Sequence, residues 1–319
     1  MEKLKCASFF AGVGGIDLGF EQSGAFDVIY ANEFDRSAAD TYETNFDLKV
    51  DCRDINIVKN EEIPDFDVML GGFPCQAFSI AGYREGFDDK KGRGELFFQL
   101  ERIFKAKKPK IIFLENVKNL VGHDNGNTFK VILECLHASG YHVKYQVMNA
   151  MNYGNVPQNR ERIYIVAFLD KSMFDHFNFP DPIPLTKTIR HVVDFNGKKD
   201  DRYYYTAEKY SFYDELEAGI TKKDTVYQWR RVYVRENKSN VCPTLTANMG
   251  TGGHNVPLIL AEHGIRKLTP KECFLLQGFP DTYKLPDVAP SHLYKQAGNS
   301  VVVPVIQRIA ETIAKVLKD

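Results

Sequence analysis

Short apolar runs alternate with helical patterns through the first half of the chain, and this alternation constrains the fold more than any other feature. The predicted strands cover residues 5–10, 27–31, 66–70, 111–114, 144–148 and 162–168. Between them lie helical patterns at residues 16–21, 36–45, 95–106 and 128–138. Strands that alternate with helices favour a mostly parallel sheet with helices on both faces. We therefore predict an α/β fold that binds its ligands beyond the carboxyl ends of the strands.

The character of the chain changes at Pro180-Asp181-Pro182-Ile183-Pro184. Three prolines in five residues cannot continue a helix or a central strand, so we interpret this segment as a linker. Residues 186–240 hold 12 Lys or Arg, nine Asp or Glu and ten aromatic residues. Basic residues interleaved with aromatic ones suit a surface that contacts nucleic acid. A small aromatic core with a solvated rim is the alternative.

Length and composition limit the number of domains, the kinds of partner and the expected location of the protein. Its 319 residues and formal charge of −1 allow two domains, and a nucleic-acid partner would need a local basic face. The six cysteines form no C-x-x-C pair, which argues against a metal site and a disulfide framework. The chain shows no apolar signal segment and no apolar run long enough for a membrane span, so we expect a cytoplasmic protein without membrane contact.

Gly12-Val13-Gly14-Gly15 follows the first predicted strand and opens the first helix. Glycines at such a turn let the backbone approach a ligand closely. Glu33 ends the second strand, where a carboxylate can accept hydrogen bonds from ribose hydroxyls. The spacing differs from G-x-G-x-x-G, which disfavours a nicotinamide oxidoreductase. Any glycine turn would look similar, and Phe10 suits either a cofactor ring or the core.

Cys75, in Gly72-Phe73-Pro74-Cys75-Gln76, is the candidate nucleophile. Most cysteines are inert small hydrophobic residues. Cys75 differs because it lies in a loop after a strand, behind a rigid proline and near the polar Ser79. A thiol with a pKa near ~8.5 needs nearby positive charge to react as a thiolate.

Glu115 and two arginines could cooperate with this thiol. Glu115 ends the apolar strand 111–114, where desolvation favours the protonated carboxyl and general acid–base chemistry. A helix cap or a salt bridge is the alternative. Arg160 and Arg162, in Gln158-Asn159-Arg160-Glu161-Arg162, are candidate positive charges for the thiol. A surface ion-pair cluster is their alternative.

Together these segments resemble the cytosine-C5 DNA methyltransferases, especially the short bacterial type from restriction–modification systems. The motifs keep the family's order: Phe10-Ala11-Gly12-Val13-Gly14-Gly15, Gly72-Phe73-Pro74-Cys75-Gln76, Glu115-Asn116-Val117, Gln158-Asn159-Arg160-Glu161-Arg162, Arg266-Lys267-Leu268-Thr269-Pro270-Lys271-Glu272-Cys273 and Gln296-Ala297-Gly298-Asn299-Ser300-Val301. The resemblance implies a Rossmann-like, S-adenosylmethionine-dependent fold with a smaller target-recognition domain. One departure is Ser8-Phe9, which replaces the commoner Asp-Leu and puts one cofactor hydrogen bond in doubt.

The resemblance also implies a DNA (cytosine-5-)-methyltransferase that acts on a specific short duplex sequence and releases S-adenosylhomocysteine. The cytosine would be flipped out of the duplex, Cys75 would attack its C6, and Glu115 would contact N3 and the exocyclic amine. Arg160 and Arg162 would hydrogen-bond the base or orient the nucleophile loop. The implied cofactor residues are Phe10, Gly12, Gly14, Gly15, Glu33, Phe34, Asp54, Ile55, Pro74, Leu96, Asn299 and Ser300.

Thr244-Leu245 is similar to the element that closes the family's variable recognition region, which assigns sequence reading to roughly residues 186–265. The implied DNA contacts are Gln76, Ser79, Arg230, Arg231, Arg235, Thr244 and Asn248. Ordinary surface or phosphate contacts are the alternative. We expect a catalytic and cofactor-binding domain at 1–182, completed by 292–319, and a target-recognition domain and hinge at 183–291.

Two other functions stay open at this point. A tRNA cytosine-C5 methyltransferase would share the motifs, but the long basic and aromatic region favours double-stranded DNA. A catalytically silent DNA-binding protein is disfavoured because Cys75 and Glu115 are intact. We expect a monomer, with a restriction endonuclease as a partner that acts on the same site without direct contact.

Overall fold

The computed structural model describes most of the chain, namely residues 2–74, 96–237, 240–250 and 256–317. The chain divides into two compact units. The first consists of Met1–Met148, Glu161–Pro180 and Ile306–Asp319, and the second of Asn149–Arg160 and Asp181–Val305. The functional assignment of the domains 1–182 with 292–319 and 183–291 stays a prediction. Every helix of the described chain is too short or too polar to cross a membrane.

A seven-stranded sheet forms the centre of the first unit, in the order β3-β2-β1-β4-β5-β7-β6. Its strands are β1 Leu4–Phe9, β2 Phe26–Asn32, β3 Val50–Asp51, β4 Val68–Gly71, β5 Ile111–Val117, β6 His142–Asn149 and β7 Glu161–Phe168. β1 pairs in parallel with β2 and β4, and β4 pairs in parallel with β5. β7 runs antiparallel to β5. The predicted mostly parallel α/β sheet is therefore confirmed.

Most helices of the first unit bury apolar side chains on one face, whereas Lys171–His176 buries none. Their bounds are Gly15–Gln22, Arg36–Asn45, Leu96–Lys107, Asn127–Ala138 and Lys171–His176, followed by the last helix, Val303–Val316. Leu100, Ile103 and Phe104 lie on one face of their helix and are fully buried. They share one core with Met69 of β4 and Leu114 of β5. The pattern of apolar residues thus attaches the helix to the middle of the sheet.

Most strand ends differ from the prediction by one to three residues, and two of these differences lie near the predicted site residues. β1 ends at Phe9, because Phe10 has a positive φ of 55° that turns the chain. Glu115 was predicted to end β5, but it lies inside this strand. The strand continues to Val117 because β7 pairs with it along this stretch, with Glu115 opposite Tyr164. The polar residues interrupt the apolar run that marked the strand in the sequence.

The second unit contains an antiparallel four-stranded sheet in the order β11-β10-β8-β9. Its strands are β8 Tyr227–Trp229, β9 Val234–Glu236, β10 Leu258–Ala261 and β11 Gly264–Lys267, and its helices are Ala150–Tyr153, Tyr213–Gly219, Pro270–Leu276 and Pro290–Asn299. Tyr227 and Trp229 are buried at alternate positions of β8. Phe212 stacks on Trp229 with ring centroids 5.0 Å apart. Part of the aromatic region is therefore a core, which is the alternative that the composition left open.

A buried ion pair connects β11 to the following helix. Arg266 is fully buried, and its Nη1 and Nη2 donate to Glu272 Oε2 and Oε1 at 2.8 and 2.7 Å. Glu272 also accepts the backbone N–H of Thr269 at 2.8 Å and of Asp194 at 3.0 Å. One carboxylate thus joins three segments of the second unit, and its loss would leave a buried guanidinium without its counter-charge.

We expect Glu272→Ala to lower the free energy of unfolding by about 3–5 kcal/mol, because breaking a buried pair strands the remaining charge. Chemical denaturation followed by tryptophan fluorescence is a suitable measurement, since Trp229 lies in the same unit. Glu217→Ala, at an exposed position of the helix Tyr213–Gly219, is the matched control and should change stability by less than about 0.5 kcal/mol. Equal effects of the two substitutions would contradict this account.

Candidate active site

The loop after β1 has a backbone conformation that glycine adopts most readily. Gly12 and Gly14 have φ values of 56° and 75°, in the left-handed region. A Cβ on Gly14 would lie 2.4 Å from the ring of Phe46, so this position also has no room for a side chain. A Cβ on Gly12 would meet no atom of the described residues within 4 Å. The backbone at Gly12 therefore borders space that a ligand can enter.

Glu33 holds this loop at the end of β2. Its Oε2 accepts the backbone N–H of Gly12 at 2.8 Å, and its Oε1 accepts the backbone N–H of Asp35 at 2.7 Å. Because β1 and β2 are parallel neighbours, loop and carboxylate leave the sheet at the same edge. Phe34, between the two acids, is 70% exposed. Three of the predicted cofactor positions are therefore close together in the first unit.

The other predicted cofactor residues lie in different surroundings. Ile55 is buried in the core of the first unit, and Leu96 begins a helix and packs against the same core. Asp54, next to Ile55, is half-buried. Asn299 is exposed and Ser300 is buried, and both belong to the second unit. Their role at a cofactor stays a prediction.

A buried carboxyl that the sequence analysis missed lies behind the glycine loop. Asp17 is fully buried in the helix Gly15–Gln22, and the Ser8 hydroxyl donates to its Oδ1 at 2.6 Å. The Tyr42 hydroxyl also interacts with this carboxyl and lowers its pKa, and the Tyr42 ring lies 3.0 Å from the Cβ position of Gly14. Burial raises the pKa of Asp17 to about 7, and the interactions with Ser8 and Tyr42 oppose this rise. The unusual Ser8 is thus partnered by a carboxyl from the next helix.

The described part of the nucleophile motif lies against the Glu115 motif. β4 and β5 pair in parallel with Gly71 opposite Leu114, so the residues after them run side by side. Asn116 Nδ2 donates to the carbonyl oxygen of Phe73 at 2.9 Å. Both groups are buried, so this bond fixes the start of the nucleophile segment to β5. The sequence analysis quoted Asn116 in the acidic motif and gave it no role.

Gly72 lies between two motifs that are distant in the sequence. Its Cβ position is 3.9 Å from Glu115 Oε2 and 4.0 Å from the carbonyl oxygen of Phe10. The glycine loop, the nucleophile segment and the acidic motif therefore meet in the first unit. Pro74 is exposed at the end of this described segment. The predicted residues that lie outside the described residues are Cys75, Gln76 and Ser79.

Glu115 forms an ion pair with Arg162. Arg162 Nε lies 3.1 Å from Glu115 Oε1, and only 13% and 10% of the two side chains are exposed. The antiparallel register explains the contact, because Val117 is opposite Arg162 and Glu115 is opposite Tyr164. Glu115 and Arg162 are thus diagonal neighbours on one face. The guanidinium thus provides a counter-charge beside the Glu115 carboxyl and fixes its position on β5.

Arg160 lies in a different environment, although it is only two residues from Arg162. It is 2% exposed. Its Nη1 donates to the Leu245 carbonyl at 2.7 Å, and its Nη2 donates to the Gly298 and Ser300 carbonyls at 3.0 and 2.5 Å. All of these groups belong to the second unit. Arg160 therefore holds the backbone of the segment that contains Thr244-Leu245 through hydrogen bonds.

A polar cleft of about 440 Å³ opens in the second unit. Four predicted DNA contacts line it, namely Arg230, Arg235, Thr244 and Asn248. Gln228 and Asn159 also line it and had not been predicted. Arg231 is not among the lining residues and lies in the exposed turn between β8 and β9 with a φ of 69°. The structure thus brings together four of the five predicted contacts that it describes.

A comparison of the sequence with known protein families identifies the family of this chain. The sequence model for C-5 cytosine-specific DNA methylases matches residues 4–315. The chain belongs to this family. It is an enzyme, a DNA (cytosine-5-)-methyltransferase that acts on DNA and uses a methyl donor, as the sequence analysis predicted.

Several relatives match over almost their whole length. The chain is 64% identical to the Type II methyltransferase M.Bsp6I of Bacillus sp. (strain RFL6), over 98% of this chain and 99% of that protein. It is 44% identical to M.HaeII of Haemophilus aegyptius, over 97% and 92%. The structure matches DNMT2 of Spodoptera frugiperda with a TM-score of 0.75 at 18% identity, over 98% of this chain and 99% of that one. The structural match shows the shared methyltransferase fold.

We expect Asp17→Asn to change the pH dependence of stability. Because burial raises the Asp17 pKa from 3.8 to about 7, the unfolded chain releases this proton at lower pH than the folded chain. The free energy of unfolding of the wild type therefore falls as pH rises from about 4 to about 7, by up to about 4 kcal/mol from this group. The variant should lack this fall.

Denaturant unfolding of wild type and Asp17→Asn at pH 4.5, 6 and 8 measures the effect. The difference in stability should shift in favour of the variant at the highest pH. Glu61→Gln, at an exposed position of the same unit, is the control. Its free energy of unfolding should depend on pH in the same way as that of the wild type. A constant difference between Asp17→Asn and wild type across this range would contradict the prediction.

Proposed function

We propose that this enzyme transfers the methyl group of S-adenosylmethionine to C5 of a flipped-out cytosine in a specific short duplex sequence, through a covalent bond between Cys75 and C6. The observation that carries the proposal is the meeting of three motifs at Gly72. The Glu115 carboxylate and the Phe10 carbonyl both lie within about 4 Å of its Cβ position, three residues before Cys75. The acid, the cofactor loop and the start of the nucleophile segment are thus at one edge of the sheet, and this supports covalent catalysis by Cys75.

The glycine loop fits the sulfonium cofactor. When bound, S-adenosylmethionine supplies an activated methyl group, and S-adenosylhomocysteine is the product. The open space at Gly12 lets the backbone approach the cofactor. A carboxylate oxygen can accept more than one hydrogen bond, so Glu33 can bind ribose hydroxyls while it holds the loop. The exposed ring of Phe34 offers a stacking surface for adenine.

The chemistry on the base follows from the residues near Gly72. A stacked cytosine cannot reach the site, so the base leaves the duplex. The Cys75 thiolate forms a bond to C6, and the π electrons move to C5, which accepts the methyl group. Glu115 contacts N3 and the exocyclic amine, and Arg162 holds that carboxyl in place. Loss of the C5 proton and cleavage of the S–C6 bond then restore the ring.

We assign Arg160 a positioning role rather than a contact with the base. Its two terminal nitrogens already donate to three backbone carbonyls, and it is almost fully buried. Buried guanidinium groups with several acceptors hold backbone segments in one arrangement. Arg160 therefore supports the segment after Thr244, where DNA recognition is proposed.

We also propose that the enzyme works as a monomer and protects DNA from a restriction endonuclease with the same target. Its relatives are Type II methyltransferases, and this supports a role beside such an enzyme without direct contact. Base flipping needs no symmetric partner, because one active site acts on one cytosine at a time.

Cys75→Ala should lower the rate of methylation by more than about a thousandfold, because the nucleophile is removed. Bisulphite sequencing of a methylated plasmid measures this loss. A duplex with 5-fluorocytosine at the target should trap the wild type as a covalent complex stable to detergent, since fluorine cannot leave as the C5 proton does. Cys52→Ser, at a half-exposed thiol, should still be trapped. Methylation by Cys75→Ala at the wild-type rate would refute the covalent mechanism.

Phe34→Ala should raise the Kd for S-adenosylmethionine by roughly 5- to 100-fold, because a stacking surface for adenine is lost. Isothermal titration calorimetry without DNA measures this binding step alone. Phe34→Tyr keeps the ring and should bind with nearly the wild-type Kd. Unchanged affinity in Phe34→Ala would show that the ring does not contact the cofactor.

A further inference from the structure

We propose that the cleft of the second unit reads a guanine in the major groove of the target, and that Arg235 is the residue that recognises it. The proposal rests on the proposed function, because duplex DNA is the ligand. It goes further in naming the base and the residue that reads it. Four features of the second unit carry it.

The strand geometry directs Arg235 into the cleft. β8 and β9 are antiparallel, with Gln228 directly opposite Arg235. Tyr227 and Trp229, on either side of Gln228, are buried in the core of this unit. Because side chains alternate along a strand, Gln228 and Arg235 lie on the opposite face, and both line the cleft. The aromatic core thus gives the cleft a rigid back wall.

The charge of the cleft is available to a ligand. Arg235 is exposed and, within the described part of the chain, forms no ion pair. The adjacent carboxylate, Glu236, is 3.0 Å from Lys222 instead. An exposed guanidinium on a sheet strand can present its two parallel N–H donors to acceptors in a plane.

The other wall of the cleft is held by buried polar groups. Thr244, Thr246 and Asn248 are exposed at alternate positions, whereas Leu245 is buried. The backbone N–H of Leu245 donates to Gln158 Oε1 at 3.2 Å, and its carbonyl accepts from the buried Arg160. A Cβ on Gly298 would lie 2.3 Å from the Thr246 carbonyl oxygen, so the backbones pack in direct contact. Contacts within the second unit therefore hold this wall in place.

The arginine and amide side chains of the lining match the hydrogen-bonding edges of purines. Arginine pairs with the O6 and N7 acceptors of guanine, and asparagine and glutamine pair with adenine. Cytosine is read through its N4 donor by Asp or Glu, and no carboxylate lies among the described lining residues. Arg235 has Gln228 as its cross-strand neighbour, whereas Arg230 is at the end of the hairpin. We therefore assign the guanine contact to Arg235.

Selection of a randomised duplex library by the purified protein tests this assignment. Bound duplexes are sequenced for the wild type, Arg235→Ala and Arg231→Ala. The wild type should enrich one sequence that contains guanine. Arg235→Ala should lose discrimination at one guanine position by roughly 5- to 150-fold and keep the others. Arg231→Ala removes the same charge from the same hairpin, outside the cleft, and should weaken binding without changing the enriched sequence.

The outcomes separate this proposal from the proposed function. If Arg235→Ala enriches the wild-type sequence at every position, or if the wild type enriches no sequence, the assignment of Arg235 is wrong. If Arg235→Ala loses a position other than guanine, the base is wrong. If the wild type enriches a sequence but leaves it unmethylated in the presence of S-adenosylmethionine, the reading stands and the proposed methyl transfer fails. Thermal unfolding of each variant confirms that a changed profile comes from a folded protein.

Discussion

The parallel pairing of β1, β4 and β5 is the constraint on which the candidate site depends. Parallel strands deliver the segments that follow them to one edge of the sheet. Phe10, Gly72 and Glu115 come from parts of the chain that lie far apart in sequence, and this pairing brings Phe10 and Glu115 each within about 4 Å of the Cβ position of Gly72. A shift of one residue in the β4–β5 register would turn Glu115 to the other face of the sheet.

The chain pattern predicted the sheet because its strands are apolar and its helices carry periodic apolar faces. It also placed Glu33 at the end of the second strand, and the structure adds its contact with the glycine loop, because β1 and β2 are neighbours. It could not predict the burial of Asp17. An acid in the first turn of a helix is ordinary in sequence, and here its burial depends on Ser8 from β1 and Tyr42 from another helix. Partners that are distant in sequence leave no local signal.

Arg160 and Arg162 show the same limit within a single motif. The motif presents them as equivalent, and spacing alone assigned both to the thiol. β7 begins between them, at Glu161. Arg162 lies on the strand and faces Glu115 across the β5–β7 ladder. Arg160 precedes the strand and donates to carbonyls 85 to 140 residues away. The start of one strand thus divides the motif between two functions.

In the second unit, the side chains that hold the backbone differ from those that line the cleft. Its buried groups, among them Arg160, Gln158 and the Arg266–Glu272 pair, bond mainly to backbone atoms and to each other. The cleft-facing side chains alternate with the buried Tyr227, Trp229 and Leu245, so they can vary without disturbing the core; they are half-buried Gln228 and exposed Arg235, Thr244, Thr246 and Asn248. Changes at Gln228 or Arg235 would alter the hydrogen-bonding face while the aromatic core behind them stays packed. If the cleft reads the target as proposed, substitutions on this one face would change the target sequence and leave the residues around Gly72 in the first unit unchanged.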